Sequence, residues 1–230
     1  MKYFIVNPSF PDSFIKSLLP YGKPIFLPPF EKLPFPVSAH PDMRAVNING
    51  RLFIHAEDTL LAEALAKHDI PFSLSYAPVG EKYPRDIALN LFTVKNFLFA
   101  NSAHASTDVL DHAKNCGYEI VHVPQGYAKC STLLLGEGVI TADKGIYNAA
   151  SERGTDALLI SPGSIGIEKY DTGFIGGASA NIEDGKVAVF GNIHLHPDGE
   201  KIVDFAKKHG TDIISLGESA LFDYGGIVCA

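Results

Sequence analysis

The sequence repeats one pattern of secondary structure five times, with roughly 42 to 49 residues between equivalent positions. Each copy has an apolar strand, a short amphipathic helix that stops at a polar residue or glycine, and a second apolar strand that ends near proline or glycine. The third copy is the clearest, with strands at 97–101 and 119–123, a helix at 106–116 and Gly117 after the helix. A repeat of this period that mixes strands with helices predicts a stacked or radial α/β architecture and excludes an all-β propeller.

The same pattern defines the other four copies. In the first copy a strand is predicted at 3–7, a helix at 13–19 and a second strand at 25–27, and in the second copy these elements are predicted at 52–56, 59–68 and 72–76. In the fourth copy the strands are predicted at 139–143 and 157–160, with a helix between them that ends at 153. In the fifth copy the strand, helix and second strand are predicted at 187–192, 199–209 and 212–215. One further strand per unit is predicted at 44–48, 87–92, 131–135, 178–182 and 227–230, and hairpin turns such as Asn49-Gly50 follow it. The unit is therefore strand, hairpin, strand, helix, strand.

The two ends of the chain each carry part of a unit. Residues 220–230 end in an apolar, β-prone run, and residues 3–7 begin a copy that lacks its own opening strand. We expect the two ends to complete one unit together and so to close a ring. The sequence thus predicts an α/β fold, a five-bladed pseudo-symmetric α/β propeller formed by a single domain over residues 1–230. An open doubly wound sheet is the alternative.

Composition limits the partners of the protein. With 46% hydrophobic and 20% charged residues, the 230-residue chain can bury a full core. Its net charge of −7 argues against a nucleic-acid surface, which needs clustered Lys and Arg, and favours a small cationic ligand. No apolar run approaches the roughly 20 residues of a membrane span, so no membrane partner is expected.

The cysteine content indicates the compartment. Three cysteines do not form a disulfide framework, and a reducing cytoplasm is expected. The oligomeric state stays open.

Motifs for cofactors are weak in this sequence. No Gly-Lys-Ser or Gly-Lys-Thr of a phosphate loop occurs. His194 and His196 lie on one face of an extended segment, but no carboxylate or cysteine is clearly placed to join them as metal ligands. No cofactor is therefore expected.

Most of the unusual polar residues lie at or just before the five inner strands. In a ring these strand ends face the central axis, so one short segment from each unit is expected to line a shared pocket. Pairing of Asp42 with Arg44 is the alternative to a pocket role for these two residues, and the pocket role is favoured slightly. The candidates for substrate binding are Asp42, Arg44, Arg85, Asn90, Tyr127, Lys129, Ser179 and Asp223.

Two motifs resemble those of a known superfamily. The C-terminal Gly225-Gly-Ile-Val-Cys229 is similar to the nucleophile motif of the pentein, or guanidine-modifying enzyme, superfamily, and Arg85-Asp86 is similar to its segment that grips the substrate guanidinium. The superfamily includes arginine and agmatine deiminases, dimethylarginine dimethylaminohydrolases and amidinotransferases. The resemblance implies a pentein fold, with Cys229 as a nucleophile that adds to a guanidinium carbon and Asp86 as a catalytic carboxylate. It also implies that water hydrolyses the covalent intermediate, with a histidine as acid and base.

One position departs from the superfamily pattern. The third inner segment carries Tyr127-Ala-Lys129 where the superfamily has its catalytic histidine, and tyrosine is a poor proton shuttle at neutral pH because its pKa is about 10. His40, from the first inner segment, is the candidate to replace it in catalysis. Cys130 lies beside Lys129, a neighbour that lowers a thiol pKa, but a core or rim position is favoured for this cysteine.

Two functions are compatible with these residues. The first is a cysteine-dependent hydrolase or transferase that acts on a guanidino or amidine compound through Cys229, with Asp86 as the ligand for the cation. The second is a pentein-fold protein without this chemistry that binds a small cationic metabolite or a protein partner. Cys229, Asp86 and the polar inner segments favour the first hypothesis, and the missing histidine favours the second.

Overall fold

A computed structural model describes residues 2–230 and contains five three-stranded sheets built to one plan. In each sheet an inner strand pairs antiparallel with a middle strand, and the middle strand pairs parallel with an outer strand. A helix connects the middle strand to the outer strand, because two parallel neighbours cannot be joined by a tight hairpin. This is the unit that the sequence predicts.

Each unit consists of an inner strand, a middle strand, a helix and an outer strand, in that order. The unit split between the chain ends has β15 (Val228–Cys229), β1 (Tyr3–Val6), α1 (Asp12–Leu18) and β2 (Lys23–Phe26). The next two have β3 (Ala45–Ile48), β4 (Arg51–His55), α3 (Thr59–Ala66) and β5 (Ser73–Ser75), then β6 (Phe92–Val94), β7 (Phe97–Ala100), α4 (Thr107–Asn115) and β8 (Glu119–His122). The last two have β9 (Thr132–Leu135), β10 (Gly138–Thr141), α5 (Lys144–Ser151) and β11 (Ala157–Leu159), then β12 (Ser179–Glu183), β13 (Lys186–Val189), α6 (Gly199–Lys208) and β14 (Asp212–Ser215).

Three short helical segments lie outside this plan. A one-turn helix, α2 (Pro41–Arg44), directly precedes β3, and two 3-10 turns occupy Phe35–Val37 and Ile193–Leu195. The longest helix, α6, has 10 residues. No helix in residues 2–230 has the length and apolarity of a membrane span.

Strands β1 and β15 come from opposite ends of the chain and lie side by side. Phe4 pairs with Cys229 in an antiparallel register. Two main-chain hydrogen bonds of 3.0 Å, one in each direction, join Tyr3 to Ala230. The C-terminal strand is thus the inner strand of the unit that the N-terminus begins. This confirms the predicted five-bladed α/β propeller closed by its terminal strands, and it excludes one open doubly wound sheet.

The apolar core lies between the units and not within them. Five clusters of buried apolar side chains each combine residues from two adjacent units. Helix α4 illustrates the local reason, because Ser106 caps its first turn and Val109 and Ala113 then face the core on one side of the helix. A unit without its neighbours would leave this face exposed, so the ring has to close to bury its core.

The clearest difference from the predicted elements lies before β6. A strand is predicted at 87–92, whereas β6 begins at Phe92 and residues 87–91 form a buried irregular segment. An apolar run alone does not distinguish a strand from such a segment. The segment places Asn90 against residues of two neighbouring units.

Deletion of residues 228–230 tests the closure of the ring. It removes β15 and leaves β1 with an unpaired edge, so we expect the free energy of unfolding to fall by roughly 2 kcal/mol or more, because buried Val228 and the hydrogen bonds to β1 are lost together. Urea unfolding followed by circular dichroism measures this change. The control Cys229→Ser keeps the main-chain pairing and should change the value by less than about 1 kcal/mol. An unchanged midpoint for the deletion would contradict closure by β15.

Candidate functional site

Four of the five inner segments meet around one cavity of about 200 Å³, which we call the site cavity. Its walls come from residues that precede β3, β9, β12 and β15, so the chain reaches the cavity just before an inner strand begins. Tyr170 lines the mouth and is half exposed. A cavity of this size suits a small molecule or a small end-group. The residues of the inner wall include His40, Met43, Tyr127, Cys130, Phe174 and Asp223.

Two buried carboxyl groups lie at this cavity. Asp223 lines it directly, and Asp42 lies behind Cys130, whose thiol donates to Asp42 Oδ2 at 3.0 Å. Each aspartate is 2% exposed. Burial, followed by repulsion from Asp223, raises the pKa of Asp42 to about 7, and burial raises the pKa of Asp223 to about 6. This pair of carboxyl groups therefore favours one of two states, in which a carboxyl keeps its proton or a cation binds at the cavity.

Neither of these aspartates has a lysine or arginine partner among the residues that the structure describes. Asp42 Oδ1 is buried and has no hydrogen-bond partner within residues 2–230. Asp223 is oriented by the main-chain N–H groups of Phe174 and Gly225, which both donate to it at 2.9 Å. The charge of Lys129 lowers the pKa of both carboxyls, but this effect is smaller than the increase in pKa that burial causes. Negative charge at the cavity is thus only partly neutralised.

His40 contributes an uncharged imidazole to the cavity. Burial lowers its pKa to about 4, so the ring is neutral at pH 7. Its Nδ1 lies 3.7 Å from Asp223 Oδ1, beyond hydrogen-bonding distance, and the two residues are neighbours without forming an ion pair at neutral pH. A neutral imidazole in this position is able to accept a proton from a ligand or a water molecule.

Gly225 of the C-terminal motif packs against the first inner segment, and Gly226 lies against the segment before β12. Gly225 has a φ of +81°, and a Cβ built on it would lie 2.3 Å from His40 Cβ, so only glycine fits there without a shift. The Gly225 carbonyl also accepts from Asp42 N at 3.0 Å. A similar approach occurs in the adjacent unit, where a Cβ on Gly177 would lie 2.0 Å from Asp223 Oδ1. These glycines allow the polar residues of the site to come together.

Cys130 carries a thiol that reaches the site cavity. Asn90 Nδ2 donates to its sulfur at 2.8 Å, and the thiol donates to Asp42 Oδ2. Asn90 is fixed in turn, because its Oδ1 accepts from the main-chain N–H groups of Lys129 at 2.8 Å and of Cys130 at 3.2 Å. Burial and the nearby Asp42 charge raise the pKa of the thiol well above its usual value, so it is protonated at neutral pH.

Asp86 lies behind the wall of the site cavity. Its Oδ2 accepts from Tyr127 OH at 2.6 Å, and its Oδ1 is buried without a hydrogen-bond partner in the described part of the chain. Burial and the contact with Asp86 raise the pKa of Tyr127, so the phenol stays protonated. Tyr127 itself lines the cavity. Asp86 is therefore linked to the cavity through this tyrosine, and its role as a catalytic carboxylate stays a prediction.

Cys229 lies in a second hollow, which we call the axial channel. This channel of about 240 Å³ is lined by side chains from all five inner strands, together with Asp42 and Lys129. Cys229 Sγ lies 3.4 Å from a main-chain carbonyl, and burial raises the pKa of its thiol. Within residues 2–230 no histidine lines the channel, and Cys229 does not line the site cavity with His40 and Asp223. Its role as a nucleophile stays a prediction.

Arg44 is engaged in the scaffold and does not line the site cavity. Its side chain is fully buried and forms a two-point ion pair with Asp58, at 2.7 Å from Nε to Oδ2 and 2.8 Å from Nη2 to Oδ1. The alternative to a pocket role, a pairing of Arg44 with Asp42, does not occur, because Arg44 pairs with Asp58. Residues two apart on a helical turn point in different directions, and α2 directs the two side chains apart.

Arg85 and Ser179 also lie outside the site cavity. Arg85 is exposed and borders a surface groove beside Tyr76. It forms no ion pair with Asp86 in residues 2–230. Ser179 is buried at the start of β12 and donates to Ile175 O at 2.7 Å.

Cys130, Met43 and Phe174 line the cavity although they are not among the predicted binding residues. Apolar and sulfur-containing side chains are mostly core residues, so their types favour a structural interpretation. A signal is present for Cys130, which follows Lys129 in a polar inner segment. Phe174 carries no such signal, because its position depends on how the chain folds before β12.

The two histidines considered as metal ligands make other contacts. His194 Nδ1 lies 2.7 Å from Glu200 Oε1, and His196 Nδ1 accepts from Asp198 N at 3.0 Å. Within residues 2–230, no three His, Cys, Asp or Glu side chains are placed together to hold a metal ion.

Comparison with known sequences gives a family without a known activity. The sequence matches DUF6873, a family of unknown function, over residues 5–228. The chain belongs to this family. No curated protein matches the sequence of this DUF6873 protein.

Solved structures of low sequence identity share the fold of this DUF6873 protein. The DDAH of Pseudomonas aeruginosa, complexed with citrulline, is 12% identical with a TM-score of 0.57, and the match covers 93% of this chain and 91% of that one. An agmatine deiminase from C. jejuni with substrate bound is 10% identical with a TM-score of 0.60, over 99% and 92%. SxtG, an amidinotransferase from Microseira wollei, is 12% identical with a TM-score of 0.51, over 89% and 73%. The predicted pentein fold is confirmed.

Replacement of Asp42 by asparagine tests the raised pKa of this carboxyl. Because the folded state holds the proton more tightly than the unfolded state, with a pKa of about 7 against about 4, the contribution of this group to stability is full below pH 4 and is lost as the pH rises through 7. Relative to wild type, Asp42→Asn should therefore gain stability between pH 5 and 8, by about 1 kcal/mol or more at pH 8.

Urea unfolding at pH 4, 6 and 8 measures this difference. Asp204→Asn is the matched control, since Asp204 is a largely exposed carboxyl on α6 and its replacement should produce no such trend. A difference between Asp42→Asn and wild type that is the same at all three pH values would contradict the raised pKa.

Proposed function

We propose that this DUF6873 protein binds a small molecule with a guanidinium or amidinium group in the site cavity and acts on that group. The observation that carries the proposal is the pair of buried carboxyls, Asp42 and Asp223, which lack a lysine or arginine partner in residues 2–230. Burial of two such groups as carboxylates costs free energy unless a cation accompanies them. A cationic ligand supplies that charge.

Guanidinium and amidinium groups suit this cavity for two reasons. They are planar cations with several N–H donors, so they form charge-assisted hydrogen bonds to carboxylates. Tyr127, Tyr170 and Phe174 add aromatic surface to the walls, and aromatic faces attract cations. The volume of about 200 Å³ matches a planar end-group better than a bulky one.

The proposed reaction is hydrolysis or group transfer at the guanidino or amidine carbon. The cavity contains a neutral imidazole, His40, and a thiol, Cys130, which are groups able to move a proton and to form a covalent bond. Two of the solved structures with this fold are described as complexed with citrulline and as an agmatine deiminase with substrate bound. At 10–12% identity these neighbours add support, while the ligand class rests on the charges of the cavity.

Binding without chemistry is the second candidate function. The thiols favour it, because burial raises the pKa of both Cys130 and Cys229 and neither is a thiolate at neutral pH. The route through Cys229 that its motif implies would place the reacting carbon in the axial channel, beside Asp42 and Lys129.

Titration calorimetry with methylguanidine, acetamidine and agmatine at pH 8 tests the binding. We expect at least one of these cations to bind, and we expect Asp223→Asn to weaken that binding at least tenfold, about the effect of losing one charge-assisted hydrogen bond. Asp42→Asn should weaken it by a smaller factor, because Asp42 lies behind Cys130 and attracts the cation by its charge alone. Affinity should also fall from pH 8 to pH 5, because both carboxyls have raised pKa values and take up protons in this range.

Two controls accompany this titration. Urea has a similar shape to guanidinium but no charge and should not bind measurably, and Asp204→Asn should bind like wild type. Binding of urea as tight as that of the cations, or no binding by any of them, would contradict the proposal. Release of ammonia or amine from the bound compound then separates the enzyme from the binding protein.

A further inference from the structure

We propose that Cys130, and not Cys229, is the nucleophile of the site cavity, and that Asp42 accepts the proton of its thiol. This inference rests on the proposed function and adds the atoms that carry it out. Cys130 is the cysteine whose side chain lines the same cavity as His40 and Asp223 in residues 2–230. Cys229 is separated from that cavity, and Cys116 is exposed at the C-terminal end of α4.

The surroundings of Cys130 orient its sulfur for a reaction. The thiol proton points along the 3.0 Å contact to Asp42 Oδ2, so a proton acceptor is already in place. Asn90 Nδ2 donates to the sulfur from another direction at 2.8 Å. An N–H donor aimed at sulfur stabilises a thiolate more than a neutral thiol. Because the main chain of Lys129 and Cys130 fixes the Asn90 amide, this donor does not have to reorganise.

The same surroundings keep the thiol inactive until a cation is bound. Burial and the charge of Asp42 hold the proton on sulfur and keep the pKa of the thiol high. A guanidinium or amidinium group in the cavity brings a positive charge next to the sulfur, which favours the thiolate. The pKa of Asp42, at about 7, suits a base that works near neutral pH. The reactive thiolate therefore forms together with the ligand complex.

The covalent step balances with water as the co-reactant. Cys130 Sγ forms a bond to the amidine carbon, the C=N electron pair moves to nitrogen, and the thiol proton moves to Asp42 Oδ2. The lone pair of the remaining nitrogen then forms a C=N bond again, and the amine leaves with the C–N electron pair and takes that proton. Water then adds its oxygen to the same carbon while the C=N electron pair again moves to nitrogen, and the C–S bond breaks with its electron pair on sulfur as an oxygen lone pair forms C=O. One proton of this water goes to the sulfur, and the other passes through His40 to the released amine.

Labelling with 2-chloroacetamidine tests the assignment, because this cationic reagent alkylates a thiol with loss of chloride. The neutral reagent 2-chloroacetamide is the matched comparison, and peptide mass spectrometry gives the rate at each cysteine. At Cys130 we expect the cationic reagent to react at least tenfold faster than the neutral one. At Cys116, an exposed thiol outside the cavity, the two reagents should show no such preference.

Variants give a readout that a purely structural cysteine would not affect. Asp42→Asn should lower the preference of Cys130 for the cationic reagent at least tenfold, whereas Cys116→Ala should leave it unchanged. Cys130→Ser should abolish release of amine from the compound identified by calorimetry while retaining its binding. Thermal unfolding of each variant verifies that it is folded, and Cys130→Ala serves in place of Cys130→Ser if the latter is not.

The outcomes separate this inference from the function on which it rests. Preferential modification of Cys229 by the cationic reagent, or equal rates of both reagents at Cys130 in a protein that binds the cation, would overturn the role of Cys130 and leave the binding function intact. Amine release by folded Cys130→Ser at the wild-type rate would do the same. Failure of every cation to bind would instead overturn the proposed function, and the role of Cys130 with it.

Discussion

The pairing of β15 with β1 is the constraint on which the site depends. Because the last strand is held in the first unit, the segment before it must pass directly over the residues that precede β3 and β12. There the main chain is fixed at close range, with Asp42 N donating to Gly225 O at 3.0 Å and Gly226 N donating to Gly177 O at 2.8 Å. These bonds set Asp223 beside His40. The core shared between neighbouring units also requires the ring to close, since no unit buries its apolar face alone.

The first inner segment contains two buried ionisable side chains, Arg44 and Asp42, whose surroundings differ. Arg44 and Asp58 are buried together, and each satisfies the other through two hydrogen bonds. Asp42, two residues before Arg44, is buried to the same degree but meets a thiol and the repulsion of Asp223. The scaffold thus neutralises one carboxylate with its own arginine and leaves the other to a proton or a ligand. Strongly raised carboxyl pKa values that arise in this way are typical of functional sites, although structural networks also produce them.

Much of the fold can be predicted from the sequence, because the repeated turn residues and helix stops can be recognised without knowledge of contacts. Helix stops such as Gly117 and hairpin turns such as Asn49-Gly50 mark the units, and the incomplete copies at the two ends predict the closure. The predicted strand at 87–92 is mostly wrong because burial, and not strand pairing, explains its apolar residues. Local pattern predicts elements well where a turn or a cap defines their ends.

The site is less predictable, because it depends on which way side chains point after the ring closes. The inner segments that the sequence indicates do bring together Asp42, Asp223, His40 and Tyr127. Arg44, however, pairs with Asp58, and Arg85 lies at the surface. Gly225 belongs to the predicted nucleophile motif, but the residue that it approaches closely is His40. By its type Cys130 is a core residue, and its place on the cavity wall and its contacts with Asn90 and Asp42 distinguish it from one.

Asp42 borders both the site cavity, through Cys130, and the axial channel that the five inner strands enclose. A carboxyl in that position has two neighbouring compartments, one that admits a solute past Tyr170 and one that is walled by strands. A change at this one side chain therefore alters the charge beside both hollows at once.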